Sequence, residues 1–272
     1  MKLIAVIVLV IIASCSSTVQ PAFLETKKQT IYSANVKDSF ELYITVPENF
    51  SRDSTYSVIY YLDANLKSGK SLRKVINDKE VIFKHNKTIF VGIGHIGNYR
   101  VLRRRDFVTP HLKKGDSLYS NETNYGQAAN FYAFLQKELI PFIESQYRTS
   151  DARTLIGHSF GGLFAFYCLF QQQPLFRNYI ALSPSLWVNY DNIYEFETKY
   201  RNKTSELKAE VYLRAGGNET INKVLPACDK MNLFLNEHPY SGFKLNYKVL
   251  NGETHNSHVE KSLKEILTDI QF

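Results

Sequence analysis

The chain reads as an α/β protein, with a mostly parallel sheet, an antiparallel N-terminal edge hairpin and helices on both faces. Three observations predict this. Continuous apolar runs such as Tyr56-Ser57-Val58-Ile59-Tyr60-Tyr61-Leu62 have the composition of strands covered on both faces. These runs alternate with segments of helical periodicity, the order that places a parallel sheet between helical layers. One junction, residues 153–170, joins a strand to a helix through a glycine-flanked serine. At 272 residues and 44% hydrophobic, the chain is long enough for one sizeable core, and it carries no internal repeat or low-complexity linker.

Taken in order, Thr30–Ala34 and Phe40–Val46 read as two strands joined by a turn at Asn35–Asp38. Apolar–polar alternation over Phe40–Val46 marks them as a half-exposed hairpin, and Pro47 ends it. Tyr56–Leu62 is a central strand ending at Asp63-Ala64-Asn65, and a helix is expected over roughly Ser71–Lys84. Thr88–Ile93 is the next strand. Residues 96–124 read as a long polar loop, a length that in a compact domain marks function or mobility. Tyr125–Tyr147 has helical periodicity with Pro141 as a kink. Tyr179–Leu182 is a short strand closed by Ser183–Trp187, and a polar helix covers Tyr190–Tyr200. Glu210–Ala215 is a strand, Ile221–His238 a helix with a break at Pro226, Leu245–Leu250 the last strand and Val259–Ile270 the closing helix.

Residues 153–162 carry the chemistry. Thr154–Ile156 end a buried strand, Gly157-His158-Ser159-Phe160-Gly161 fits G-x-S-x-G, and Gly162–Phe170 is a buried helix. Strand, tight turn with a central serine, then helix is the nucleophile elbow of an α/β-hydrolase. The turn pushes the hydroxyl off the end of the sheet, and small neighbours let strand and helix close on each other. The Phe160 amide then sits at a helix N-terminus, where a developing oxyanion is favoured.

The net charge is +7, which suits anionic surroundings or an anionic ligand. The basic residues are dispersed apart from Arg103-Arg104-Arg105, and there is no nucleic-acid motif, so solubility is the leading reading of the charge. Lys2 and the apolar run Leu3–Ala13 match the start of a secretory signal and are too short to span a bilayer comfortably. Ile12-Ala13-Ser14-Cys15 resembles a bacterial lipobox. Residues 1–14 are therefore expected to be a lipoprotein signal peptide, with lipid on Cys15, a tether over 15–27 and the folded domain over 28–272. Ser16 after the cysteine leans toward the outer membrane, facing the periplasm. Cys168, on the apolar helix, is expected to be a buried free thiol, and the spacing to Cys228 demands no bridge. No His, Cys and carboxylate cluster has metal-ligand spacing, and no cofactor is expected.

Ligands of open α/β sheets bind beyond the carboxyl ends of the strands. Ser159, Glu219 and His255 each follow a strand end, in the chain order Ser…Glu…His of this fold. Ser159 is the candidate nucleophile and His255 the general base, with His258 as its competitor. Glu219 is the candidate acid, with Asp191, Asp229 or no acid as alternatives. The second oxyanion amide, beside that of Phe160, is expected from Asn65 after Tyr60-Tyr61-Leu62-Asp63. His158 inside the elbow reads as packing.

These segments together resemble the esterase family of α/β-hydrolases that includes siderophore (enterobactin-type) esterases, feruloyl and acetylxylan esterases, esterase D and the mycolyltransferases. Tyr61-Leu62-Asp63-Ala64-Asn65 is similar to the family's Leu-Leu-Asp-Gly turn, with Ala64 in place of Gly, and implies the Asn65 amide as oxyanion donor. Arg105–Pro110 is similar to its Arg-Asp-Tyr/Phe-Thr-Pro segment with Val108 inserted. Gly157–Gly162 looks like its elbow, and Gly252-Glu253-Thr254-His255-Asn256-Ser257 like the segment with its histidine. Ser183-Pro184-Ser185-Leu186-Trp187 looks most like the siderophore-esterase branch, and the resemblance runs over roughly residues 30–270. It implies ester hydrolysis in a catecholate trilactone or its ferric complex. That anionic, aromatic ligand is expected to meet Tyr61, Arg103, Arg104, Arg105 and Trp187 through charge and stacking. The alternatives are a feruloyl or acetyl carbohydrate esterase and an envelope lipoprotein that binds without turnover.

Overall fold

The protein is described by a computed structural model that covers residues 26–110, 125–189, 191–219 and 223–270. The signal segment and Cys15 lie outside these residues, as does 111–124 of the expected long loop.

Among the described residues, eight strands form one sheet: β1 (Lys27–Ser33), β2 (Asp38–Thr45), β3 (Tyr56–Leu62), β4 (Thr88–His95), β5 (Thr149–His158), β6 (Asn178–Leu182), β7 (Glu206–Gly216) and β8 (Ser241–Leu250). Their spatial order is β1-β2-β4-β3-β5-β6-β7-β8. β1 pairs antiparallel with β2, and β2 with β4, while every later pair is parallel. Alternate residues of each inner strand face opposite layers, as the two-residue period requires. Val58, Tyr60, Leu62, Leu155, Tyr179 and Leu213 enter one core, while Ile59, Tyr61, Ile156, Ile180 and Tyr212 enter the other. The second core is closed by α1 (Lys67–Val75), α2 (Lys79–Lys84) and α9 (His258–Asp269). The first is closed by α4 (Ala128–Phe134), α5 (Ile140–Gln146), α6 (Phe160–Leu169), α7 (Ile193–Arg201) and α8 (Val224–Glu237).

The topology places the site. β3 leads to β4 on one side, and the chain returns to β5 on the other side of β3. The exits of β3 and β5 therefore diverge and leave a crevice at a topological switch point, where ligands of open sheets bind.

Three expectations need correction. The helix expected over Ser71–Lys84 is two helices. α1 starts earlier, and Asp78 interrupts the run by capping α2, accepting from the Glu80 amide at 3.1 Å. The stretch read as loop contains α3 (Tyr99–Asp106), capped by Asn98, whose side chain accepts from the Arg100 amide at 3.2 Å. Its buried residues are Arg105 and Asp106, so no apolar periodicity announced it. Pro226 does not break α8 but sits in its first turn, where a missing amide proton costs nothing. Pro141 does disturb its helix: α4 and α5 are joined by a π-helical turn, Leu135–Leu139, which widens the backbone just before the proline ring.

Candidate active site

Ser159 stands between β5 and α6 at φ 60°, ψ −117°, a conformation that costs a non-glycine residue on the order of 1–3 kcal/mol. The surroundings enforce it. The Ser159 amide donates to Leu182 O at 2.9 Å, and its carbonyl accepts from Ser185 and Leu163. A Cβ on Gly157 would lie 2.1 Å from Gly161 O, and one on Gly162 would lie 2.9 Å from Pro184 Cα. Only glycine lets strand and helix approach this closely.

Across the crevice, the turn Asp63–Leu66 closes with the Leu66 amide donating to Asp63 O at 2.8 Å, and the Ala64 amide donates to Ile93 O. The Asn65 amide has no acceptor among the described residues, and the Asn65 side chain donates to His95 O at 2.8 Å. The positive φ of this turn falls on Asp63, at 58°, and not on Ala64, so alanine fits where the family turn carries glycine. The Phe160 amide, first in α6, is an orphan donor of the helix.

His255 follows β8, and its Nδ1 lies 2.6 Å from Glu219 Oε2. Glu219 is 1% exposed, and its other oxygen accepts from the Ser183 hydroxyl at 2.5 Å and the Gly216 amide at 2.6 Å. Burial pushes its pKa up, but the hydrogen bonds from His255, Ser183 and Gly216 outweigh this and hold it below the ordinary glutamate value. The ionised carboxylate only accepts, so His255 Nδ1 carries the proton and Nε2 is left as the basic nitrogen. Ser183 has one proton and gives it to Glu219. The 2.6 Å contact between Ser183 and His258 Nε2 is therefore one in which the imidazole donates. His158 Nε2 donates to His255 O at 2.7 Å; burial, then the neighbouring His255, holds its pKa down to about 3, so it stays neutral. The histidine read as packing thus ties the elbow to the His255 loop.

The other acid candidates are elsewhere. Asp191 pairs with Lys230 at 2.6 Å, and Asp229 accepts from the Tyr247 hydroxyl at 2.7 Å. His258 is fully buried behind Glu219. Ser159 Oγ lies 3.4 Å from Ser185 Oγ and makes no hydrogen bond to His255, although both line one cleft. Such bonds are often loose before substrate arrives.

The cleft holds about 470 Å³ and is walled by Asn65, Lys67, Lys70, Tyr99, Arg103, His158, Ser159, His255 and Asn256, among others. Of the residues expected to meet ligand, Arg103 reaches it, held by Asp63. Arg105 does not: it is buried and paired with Asp106 and Asp38 at 2.7 and 2.8 Å. Arg104 and Trp187 are half-buried, and neither is among the residues that wall this cleft. Tyr61 is 1% exposed in the core, its ring over Gly92, because its β3 position faces α1 rather than the strand end. Lys67 and Lys70 went unnoticed in the sequence, as did Tyr99. The signal was available for the lysines: they are three apart on the helix that opens directly after Asn65, so both lie on one face beside the turn.

Residues 33–260 match the Esterase family, described as "Putative esterase". The ferri-bacillibactin esterase BesA of Bacillus subtilis (strain 168) is 31% identical over 175 residues, 60% of this chain and 60% of that protein. The chain thus aligns with about 60% of that relative's length. Among solved structures, the BES protein from Bacillus cereus superposes with a TM-score of 0.78 at 28% identity, over 92% of this chain and 97% of that one. An IroE-like serine hydrolase from Shewanella oneidensis superposes with a TM-score of 0.74 at 26% identity, over 90% and 79%. With its α/β-hydrolase fold and a family match running from the end of β1 into α9, the chain belongs to the Esterase family.

Proposed function

We propose that the protein is a serine esterase that hydrolyses siderophore esters of the catecholate trilactone class. The observation that carries this reading is one cleft holding a strained serine, a histidine locked to a buried carboxylate, and a cationic wall of Lys67 and Lys70. Ser159 attacks the ester carbon, and His255 Nε2 takes its proton. Glu219 fixes the tautomer and stabilises the imidazolium. The amides of Asn65 and Phe160 meet the oxyanion. His255 then protonates the leaving alcohol; in the second half it takes a proton from the water that attacks the acyl carbon and returns it to Ser159 Oγ as the acid departs. The lysines favour an anionic substrate, and the 40% exposed Tyr99 ring offers a face for an aromatic one. The ferri-bacillibactin esterase of B. subtilis supports the same substrate class.

The test is hydrolysis of a catecholate trilactone, iron-free and iron-loaded, beside a feruloyl sugar ester and a short nitrophenyl ester. Trilactone cleavage is expected to dominate, with Ser159→Ala and His255→Ala each losing about a thousand-fold or more in kcat while folding normally, and Glu219→Ala losing less. Turnover confined to the other two esters would remove the siderophore assignment. We further propose that lipid on Cys15 anchors the enzyme in a bacterial envelope. Labelled fatty acid should enter the wild-type chain and not Cys15→Ala.

A further inference from the structure

Arg103 does more than line the cleft. Its guanidinium, carried by α3, donates from Nε and Nη2 to the two oxygens of Asp63 at 2.7 and 2.8 Å. Nη2 also donates to the His158 carbonyl at 3.2 Å. The same group lies over the rings of Phe160 and Phe107, 5.4 and 5.8 Å from their centres. The Asp63 side chain is 1% exposed, so this is a buried, two-pronged pair.

The contacted groups occupy matching places on two turns. Asp63 stands two residues before Asn65 at the exit of β3, and His158 two residues before Phe160 at the exit of β5. Each turn holds a non-glycine residue at positive φ, Asp63 at 58° and Ser159 at 60°. Backbone in that region persists only where neighbours hold it. Arg103 is bonded to the side chain of one strained residue and to the peptide that leads into the other. The Asp63 carboxylate also lies close to the elbow: a Cβ on Gly161 would sit 3.6 Å from Asp63 Oδ2. Left unpaired there, it would oppose negative charge developing beside the Phe160 amide.

Building on the serine-esterase reading, we propose that Arg103 is a positioning residue for the oxyanion hole. One guanidinium locks the β3 and β5 exit turns together, so that the Asn65 and Phe160 amides converge on one oxygen, and it cancels the Asp63 charge beside them. The fork is essential to this task, because a lysine ammonium is a point charge that cannot hold both carboxylate oxygens and the His158 carbonyl in fixed directions.

The test uses the full chain, Arg103→Met and Arg103→Lys, with a short, uncharged nitrophenyl ester, so that attraction between Arg103 and an anionic ligand plays no part. The readouts are kcat, KM, and the rate at which an uncharged fluorophosphonate, whose phosphoryl oxygen occupies the same hole, labels Ser159. Arg103→Met is expected to lower kcat and the labelling rate together by roughly 10- to 100-fold, the scale of a lost oxyanion donor, with a much smaller change in KM. Arg103→Lys should recover only part of this. Values for Arg103→Met within about two-fold of wild type would overturn the clamp. Should Arg103→Met fail to fold, wild-type kcat in Arg103→Lys overturns it equally, because the fork is gone. A wild-type chain that neither turns over nor labels at Ser159 would instead sink the esterase reading itself.

Discussion

His258 is fully buried, yet it is joined to the candidate acid by an unbroken chain: Ser262 donates to its Nδ1 at 3.1 Å, its Nε2 donates to Ser183, and Ser183 donates to Glu219. Burial lowers its pKa from 6.5 to about 4, against the opposing pull of Glu219, so it is neutral in the folded protein at neutral pH. The linkage follows directly. The unfolded chain binds a proton below about 6.5 and the folded one does not, so stability falls as pH drops from there toward 4. His258 alone contributes a loss of roughly 3 kcal/mol over that window, and His158, held down to about 3, acts in the same direction. Melting temperature measured against pH should therefore decline below 6.5, and less steeply in His258→Gln; an unchanged slope would assign the loss to other groups. Single residues also show what sequence could and could not say about the site. Ser159 and His255 were legible because a tight turn and a strand end leave local marks. The contact of Glu219 with His255, rather than with Asp191 or Asp229 in that place, bridges 36 positions and leaves none.

At the scale of elements, α1 and α3 build the cleft wall, and both were misread. α3 was hidden because its buried residues are the charged Arg105 and Asp106, satisfied by each other, by Asp38 and by His95, and not by apolar packing. The start of α1 was placed too late because its first residues, Lys67–Lys70, are polar, with exposed lysines at the cleft. If that wall selects anions, Lys67→Glu combined with Lys70→Glu should raise KM for an anionic catecholate ester on the order of ten-fold or more at low salt, and much less for a neutral ester. An equal effect on both esters would point to a distorted helix instead of a lost charge. The π-turn before Pro141 shows the reverse case: the sequence announced a disturbance at a proline, and the backbone absorbed it by widening one turn while Leu135 and Leu139 stayed buried.

At the scale of the whole molecule, one aromatic cluster joins the antiparallel edge to the elbow helix. The Phe131 ring lies 5.3 Å from Phe40 on β2, 5.3 Å from Phe107 after α3 and 5.1 Å from Phe164 on α6. Truncating it to alanine should cost about 3–5 kcal/mol, which in a domain of this size lowers Tm by roughly 10 °C. A loss below about 1 kcal/mol in denaturant titration would mean that the site collapses around the gap. Because Phe107 and Phe164 flank Arg103 and the elbow, the core that stabilises the sheet also holds the cleft in shape.

The sequence alone determined the sheet, its two helical layers and the elbow. Strand and helix periods, and the demand for glycine at a close approach, are local properties readable within a dozen residues. Tertiary structure alone decided which carboxylate meets His255, that Arg105 is consumed by Asp38 on β2, and that Arg103 spans two turns. Those outcomes depend on ion pairs and hydrogen bonds between residues 36 to 67 positions apart, and such contacts have no period along the chain.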